Sequence, residues 1–254
     1  MPIGYSLKPT GPLDRFYRWL SKVSSKYAGG ADQLPPPEAM EGFLKAQRLA
    51  YDAVLHVGKL LKVGMTEKEA ADLLEGYLRD HGTERYLHRA FAWFGDHSRF
   101  DGYLDYADYH PSGRKLEPDH VAILDVSPVV DGYIGDVGYA ICLTPNPSLD
   151  SAKGFLLQLR EDIPKMFASP MTAAEIWAEI DNRIHAAGYD NVHAKYPHCV
   201  LGHRVFRVKP KKGKHLRIGT KSFGWFSLET NLAFLKLGLR LKQQPSAPTP
   251  APGR

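Results

Sequence analysis

The sequence predicts an α+β fold made of two related halves, each a pair of helices followed by strands. Three observations support this prediction. Apolar residues recur at helical spacing in several segments. Two short runs rich in β-forming residues lie between the helical segments. One capped helix pattern occurs twice, at Thr66 and again 106 residues later at Thr172.

The first half begins with a helix pair. Residues 38–61 carry apolar side chains three and four positions apart, which indicates one amphipathic helix. Thr66, followed three residues later by Glu69, has the spacing of a capping box, so a second helix is expected to start there and to stop at Gly82. A third helix is expected over residues 150–167.

Strands are expected after this helix pair. Residues 121–126 and 139–143 are short and β-rich, and the turn residues Asp131 and Gly132 lie between them. They predict an antiparallel hairpin.

The repeat supports two pseudo-symmetric halves. Residues 64–69 line up with residues 170–175, and Gly82 lines up with Gly188 at the same offset. A helix over residues 172–187 is therefore expected to match the one at Thr66. Coincidence remains the alternative, because threonine is a common helix cap.

The bulk composition is that of a soluble globular protein, with 43% hydrophobic and 24% charged residues among 254. We divide the chain into an extended N-terminal arm (1–37), one main domain (38–242) and a proline-rich C-terminal tail (243–254). Two cysteines, no signal-peptide pattern and no apolar run of membrane-spanning length favour a cytoplasmic protein without a membrane partner.

Positive charge is concentrated late in the chain. The net charge is +5 overall, but residues 201–254 hold twelve Lys or Arg and a single acid. The basic segment 204–221 is a candidate nucleic-acid surface. A solvated basic loop is the preferred interpretation, because the segment has no nucleic-acid motif.

Two aspartates carry the chemistry. Asp125 lies within an apolar strand, where a buried carboxylate requires a cation, an arginine or a hydrogen-bond network. Asp136 follows eleven residues later, across the expected hairpin, so the two carboxylates are expected to converge. Facing carboxylates repel unless a cation lies between them, and their oxygens suit divalent ions. One buried and one exposed aspartate, without metal, is the structural alternative.

These segments resemble the methionine aminopeptidase, aminopeptidase P and creatinase superfamily. The resemblance rests on residues 116–125, on residues 132–137 and on a helix start at residues 63–69. It covers roughly residues 38–205. It implies the pita-bread fold, whose two pseudo-symmetric halves match the repeat, and a site that usually binds two divalent metal ions.

The resemblance also assigns roles to residues. It implies that Asp125 chelates one ion, that Asp136 bridges two, and that His203 supplies a histidine ligand. His110 corresponds to a substrate-contacting histidine, although its spacing from Asp125 is somewhat short. The ion would be Mn, Co, Fe or Zn.

The late part of the sequence departs from the family pattern. The family uses two late glutamates, but Glu229 is the only acid after Leu201, and Arg204 follows His203 where glycine is usual. Glu229 is expected to replace the first glutamate. We therefore expect C-terminal strands that are incomplete, and a catalytic function that the missing glutamate impairs.

The resulting hypothesis is a metal-dependent aminopeptidase-like hydrolase of short peptides or modified amino acids. The alternative is a non-catalytic pita-bread module that binds a peptide or protein. The sequence leaves the oligomeric state open, with a homodimer as one option.

Overall fold

The computed structural model describes residues 36–83, 85–101, 106–191 and Arg207. The described residues divide into two compact units, 36–146 together with Arg207, and 147–191. The described part of the first unit holds two α-helices, two short 3-10 helices (Gly95–Arg99 and Tyr106–Tyr109) and a four-stranded sheet, and that of the second holds two α-helices. The helices are α1 (Pro37–Gly58), α2 (Glu67–Asp80), α3 (Pro147–Phe167) and α4 (Ala173–Ala186), and the strands are β1 (Arg85–Phe94), β2 (Val121–Val130), β3 (Tyr133–Ile134) and β4 (Val137–Cys142).

The helix pair of the first unit forms where the sequence predicts it. Helix α1 starts with Pro37, a residue suited to a first helical position because its missing N–H needs no partner there. Helix α2 starts after Thr66, whose hydroxyl accepts a hydrogen bond from Glu69 N, while Glu69 returns one to Thr66 N. The predicted capping box is therefore confirmed. Gly82 follows the helix with a φ of +83°, a left-handed conformation that glycine adopts easily.

Strand β2 is the centre of the sheet. Strand β1 pairs with one edge of β2, and β3 and β4 pair one after the other with its other edge, all antiparallel. The predicted hairpin is confirmed, because β2 pairs with β4 from Val121–Cys142 to Val126–Val137. Two residues, Gly135 and Asp136, lie in the interruption between β3 and β4.

Strand β1 was not predicted from the sequence. Two register irregularities interrupt its pairing with β2, one between Tyr86 and His88 and one between His88 and Phe91. Each adds one residue to β1, so side chains do not alternate regularly between the two faces. The period-two pattern by which a strand is recognised in sequence is therefore absent.

One face of the sheet packs on the two helices and forms the core. The helices contribute small alanines on α1 and leucines on α2, and the sheet contributes alternate residues of β2. The fully buried residues of this core include Ala50, Ala53, Val54, Val57, Ala70, Leu74, Leu78, Phe94, Leu124 and Val126. Because Leu124 and Val126 point into this core, Asp125 lies on the opposite face of the sheet.

The second unit repeats the helix pair. Helices α2 and α4 are each 14 residues long, and Thr172 and Glu175 form a capping box at the start of α4 with the same 2.7 and 3.2 Å contacts as Thr66 and Glu69. Four buried residues pack between α3 and α4, namely Leu159, Met166, Ile176 and Ile180. The repeat is therefore present in local geometry as well as in sequence.

Several predicted features lie outside the described residues. They are residues 1–35 of the arm, the tail 243–254 and the basic segment 204–221 apart from Arg207. The guanidinium carbon of Arg207 lies 4.8 Å from the centre of the Tyr133 ring, a cation–π distance.

Among the residues that the structure describes, each helix is too short or too polar to serve as a transmembrane segment.

Candidate metal centre

Asp125 occupies the middle of the sheet face that is turned away from α1 and α2. Its neighbours across the ladder are Phe91 on β1 and Gly138 on β4. Residues paired in this way project from the same face, so Phe91 borders one side of the carboxylate. Gly138 has no side chain to fill the other side; a Cβ atom there would lie 4.0 Å from Cγ of Asp125.

Asp136 is held by helix α1 through its backbone. The amide of Gln47 donates to the Asp136 carbonyl over 2.9 Å and accepts from the Asp136 N–H over 3.0 Å. Gly135 touches the same helix, because a Cβ atom there would lie only 2.4 Å from the Ala46 carbonyl oxygen. The Ser127 hydroxyl donates to the Gly135 carbonyl over 2.8 Å. These contacts fix the direction in which the Asp136 carboxylate leaves the chain.

His88 joins the two aspartates because of the irregularity in β1. It pairs with Ser127 of β2, and Phe91 pairs with Asp125, so three steps along β1 match two steps along β2. Regular alternation would place residues 88 and 91 on opposite faces, whereas the extra residue places both on the Asp125 face. The imidazole of His88 is buried there, with 9% of its side chain exposed.

The three side chains form a compact group of donor atoms. One nitrogen of His88 and one oxygen from each of Asp125 and Asp136 all lie within 4.8 Å of one another. Nε2 of His88 lies 3.8 Å from Oδ1 of Asp136. Donor atoms that share one ion are separated by about 3.0 to 4.2 Å, so the 3.8 Å between His88 and Asp136 is compatible with a shared ion. The donor chemistry, two carboxylates and an imidazole, fits a divalent transition metal.

The nearby aspartates change the pKa of His88. Burial lowers the pKa of the imidazole, but the carboxylates of Asp136 and Asp125 exceed this effect and raise the pKa to about 9. Nδ1 lies 2.8 Å from the Arg89 carbonyl oxygen, which can only accept, so Nδ1 carries a proton. Nε2 is the nitrogen that faces Asp136, 3.8 Å from Oδ1.

His110 lies beside the group and outside the set of candidate ligands. Its ring stacks on Phe91 with 6.5 Å between centroids, and Phe91 also packs against His88 at 4.9 Å. The neighbouring Tyr109 carbonyl accepts a 2.6 Å hydrogen bond from Nε1 of Trp93. Phe91 thus contacts both histidines, and an aromatic surface adjoins the carboxylates.

A buried glutamate at the start of α2 anchors the segment that carries His110. Glu67 is fully buried and accepts hydrogen bonds from Phe94 N, from the His97 ring and from both the N–H and the hydroxyl of Ser112. Burial alone would raise the pKa of Glu67, but the bonds from His97, Ser112 and Phe94 hold it below the usual 4.5. Because Ser112 is two residues beyond His110, this network fixes the position of the histidine.

The sequence-predicted residues therefore have different outcomes. The structure brings Asp125 and Asp136 together on one face, with His110 nearby. His203 and Glu229 lie outside the described residues, so their assignments stay predictions. His88 was missed in sequence because it lies on the strand that was not predicted. The aromatic-rich run 91–94 that follows the turn at Gly82 was the available signal for that strand.

Solved structures share the arrangement of helices and sheet described above. The X-Pro aminopeptidase of Thermotoga maritima matches with a TM-score of 0.53 at 21% identity, covering 61% of this chain and 43% of that one. A prolidase of Thermococcus sibiricus matches with a TM-score of 0.52 at 19% identity, covering 71% and 50%. The fold is thus of the pita-bread class, as the sequence predicts.

The family follows from the sequence profile. The sequence profile of metallopeptidase family M24 matches residues 41–215, which is well over half of the chain. The chain belongs to metallopeptidase family M24.

Curated relatives agree with this assignment at lower coverage. An uncharacterized peptidase of Staphylococcus epidermidis is 28% identical over 163 residues, covering 63% of this chain and 43% of that protein. One of Staphylococcus haemolyticus is 25% identical over 168 residues, covering 65% and 44%. The chain therefore spans less than half the length of these relatives.

Proposed function

We propose that this protein is a metal-dependent hydrolase that cleaves short peptides at the amino-terminal end. The observation that carries the proposal is the convergence of the Asp125 and Asp136 carboxylates on the sheet face turned away from α1 and α2. Gly138 leaves space beside Asp125, and Gln47 orients Asp136. Two carboxylates held this close by strand pairing and a helix contact favour a cation between them.

In the proposed site Asp125 and Asp136 hold a divalent ion, one of Mn, Co, Fe or Zn. Such an ion supplies two things when bound: it lowers the pKa of water and it polarises a peptide carbonyl. The further ligands proposed from the family resemblance are His203 and Glu229. His110, placed by the Glu67 network and stacked on Phe91, would contact the substrate near the scissile bond.

Short peptides are the proposed substrate class. M24 membership supports peptide hydrolysis, and the names of two structural neighbours, an X-Pro aminopeptidase and a prolidase, make peptides with proline in second position the first to assay. The aromatic rings of Phe91 and Trp93, stacked at 5.0 Å beside the carboxylates, offer an apolar surface for a substrate side chain.

The test combines metal analysis with a peptide assay. Purified full-length chain is dialysed against Mn²⁺, Co²⁺ or Zn²⁺, the bound metal is measured by mass spectrometry, and release of the amino-terminal residue is followed. The proposal predicts bound metal and metal-dependent release in the wild type, and loss of both in Asp125→Asn and Asp136→Asn. The exposed Asp131, which pairs with Lys45 at 2.7 Å, gives the control Asp131→Asn, which should retain both.

Two results would count against the proposal. Wild-type protein that binds no divalent ion under any of these conditions would remove the site. Metal binding and peptide binding without hydrolysis would instead favour the non-catalytic binding module, the second function considered.

A further inference from the structure

The geometry points to His88 as a third protein ligand of the metal ion held by Asp125 and Asp136, in addition to the ligands that the family resemblance assigns. The inference rests on the proposed function, because it concerns the same ion. It would make a compact site within the unit formed by residues 36–146, in which β1, β2 and the segment before β4 each supply one donor.

Distance and burial support this role. Nε2 of His88 is 3.8 Å from Oδ1 of Asp136, a separation that suits two donors on one ion. One Asp125 oxygen, one Asp136 oxygen and one ring nitrogen of His88 all lie within 4.8 Å of one another. The imidazole is nearly fully buried, so its position on this face is set by the fold.

The register irregularity between His88 and Phe91 of β1 determines the direction of the His88 side chain. The extra residue between His88 and Phe91 turns His88 toward the aspartates, and such bulges commonly re-aim a side chain beside a functional site. Arg89, within the irregular segment, forms a two-pronged ion pair with Glu75 of α2, with contacts of 2.7 and 2.8 Å. The helix that closes the core therefore also fixes the segment that presents His88.

The hydrogen bond of the other ring nitrogen gives independent support. Nδ1 of His88 donates to the Arg89 carbonyl over 2.8 Å, which leaves Nε2 as the nitrogen directed at Asp136. A metal-binding histidine usually donates its second N–H to a carbonyl or carboxylate, which fixes the ring and its tautomer. In this structure His88 already makes such a hydrogen bond, from Nδ1 to the Arg89 carbonyl.

A competing interpretation is that His88 acts as a positively charged substitute for the ion. A protonated imidazole between two carboxylates would neutralise them and would compete with metal. The two interpretations predict opposite effects when the ring is removed. A ligand's loss weakens metal binding, whereas a competitor's loss strengthens it.

The experiment measures Mn²⁺ and Co²⁺ affinity by titration calorimetry for wild type, His88→Ala and His88→Gln, with thermal unfolding checked for each. His185→Ala is the matched control. His185 likewise has Nδ1 2.8 Å from a backbone carbonyl and 3.7 Å from a carboxylate, that of Asp181, but it is exposed and lies outside the candidate site. Pulsed EPR of bound Cu²⁺ counts coordinated imidazoles in the same variants.

The inference predicts affinity at least about tenfold weaker in both His88 variants, one fewer imidazole coupled to Cu²⁺, and no change in the control. Should a variant unfold, the second one and the metal-induced rise in melting temperature supply the comparison. Equal or tighter binding in a folded His88 variant would overturn the inference while leaving the proposed function intact. Absence of metal in the wild type would overturn both.

Discussion

Gly135 shows how one residue determines the geometry of the candidate site. Helix α1 approaches the chain so closely there that a Cβ atom would lie 2.4 Å from the Ala46 carbonyl oxygen and 2.9 Å from Gln47 N. Both are backbone atoms, so neither can rotate away. The same approach lets the Gln47 side chain reach the backbone of Asp136. A side chain at position 135 would therefore separate α1 from Asp136.

Replacing this glycine should damage both stability and metal binding. We expect Gly135→Ala to lower the free energy of unfolding by about 2 kcal/mol, because the added methyl group forces the helix and strand apart. We also expect weaker Mn²⁺ binding, since Asp136 loses its orientation. Urea unfolding and calorimetry measure the two effects.

A matched control exists for this substitution. Gly113 is exposed, and a Cβ atom there would meet nothing within 4 Å, so Gly113→Ala should leave both quantities nearly unchanged. Equal behaviour of the two variants would show that the close approach at Gly135 is unimportant.

Much of the candidate site could be predicted at the residue scale, and the reason is local. Asp125 and Asp136 are recognisable because a short hairpin brings them together within eleven residues of sequence. His88 could not be found in this way. Its position depends on a pairing irregularity 37 residues before Asp125, and such irregularities remove the alternation on which sequence analysis relies.

At the scale of elements, Glu67 connects a helix, a strand end and a loop. It is the first residue of α2, it receives the N–H of the last residue of β1, and it receives two hydrogen bonds from Ser112. Backbone bonds join the same elements, from Glu67 N to the Arg114 carbonyl and from Lys68 N to the Ser112 carbonyl. The carboxylate therefore stabilises the junction of three elements.

The lowered pKa of Glu67 gives a stability that depends on pH. Because the folded-state pKa lies below the usual 4.5, the charged form stabilises the fold above about pH 4.5, and this contribution is lost as the pH falls through the folded pKa. We expect Glu67→Gln to lower the free energy of unfolding at pH 7 by about 2 kcal/mol and to flatten its decline on acidification. Denaturant unfolding between pH 3 and 7, roughly the range over which carboxylates titrate, checks this expectation.

Glu41 provides the comparison for that measurement, because it is an exposed acid on α1. Glu41→Gln should shift stability by less than about 0.5 kcal/mol, as is usual for surface substitutions. An acid response in Glu67→Gln identical to that of wild type would assign the pH dependence to other groups.

The elements themselves were largely predictable, with one informative exception. Capping boxes in the sequence predict where helices α2 and α4 start. Two β-rich runs on either side of a turn predict the pairing of β2 with β4. Strand β1 was missed, although it pairs with β2 over most of its length. Its pairing with β2 is a long-range property, and the aromatic-rich run 91–94 is the local signal that it offers.

At the scale of the whole molecule, acidic and basic residues are concentrated in different parts of the sequence of this M24 chain. Residues 1–200 carry a net charge of −6, obtained from the overall +5 less the +11 of residues 201–254. The candidate aspartates and His88 all lie in the unit formed by residues 36–146, whereas the family-derived candidates His203 and Glu229 come from the basic part of the sequence.

The most direct test of the account is anomalous X-ray scattering from crystals of the full chain grown with Mn²⁺. The account predicts an anomalous peak about 2.0 to 2.3 Å from carboxylate oxygens of both Asp125 and Asp136. A map with no peak beside these aspartates, or with manganese bound only elsewhere, would contradict the proposal that this face of the sheet is a metal centre.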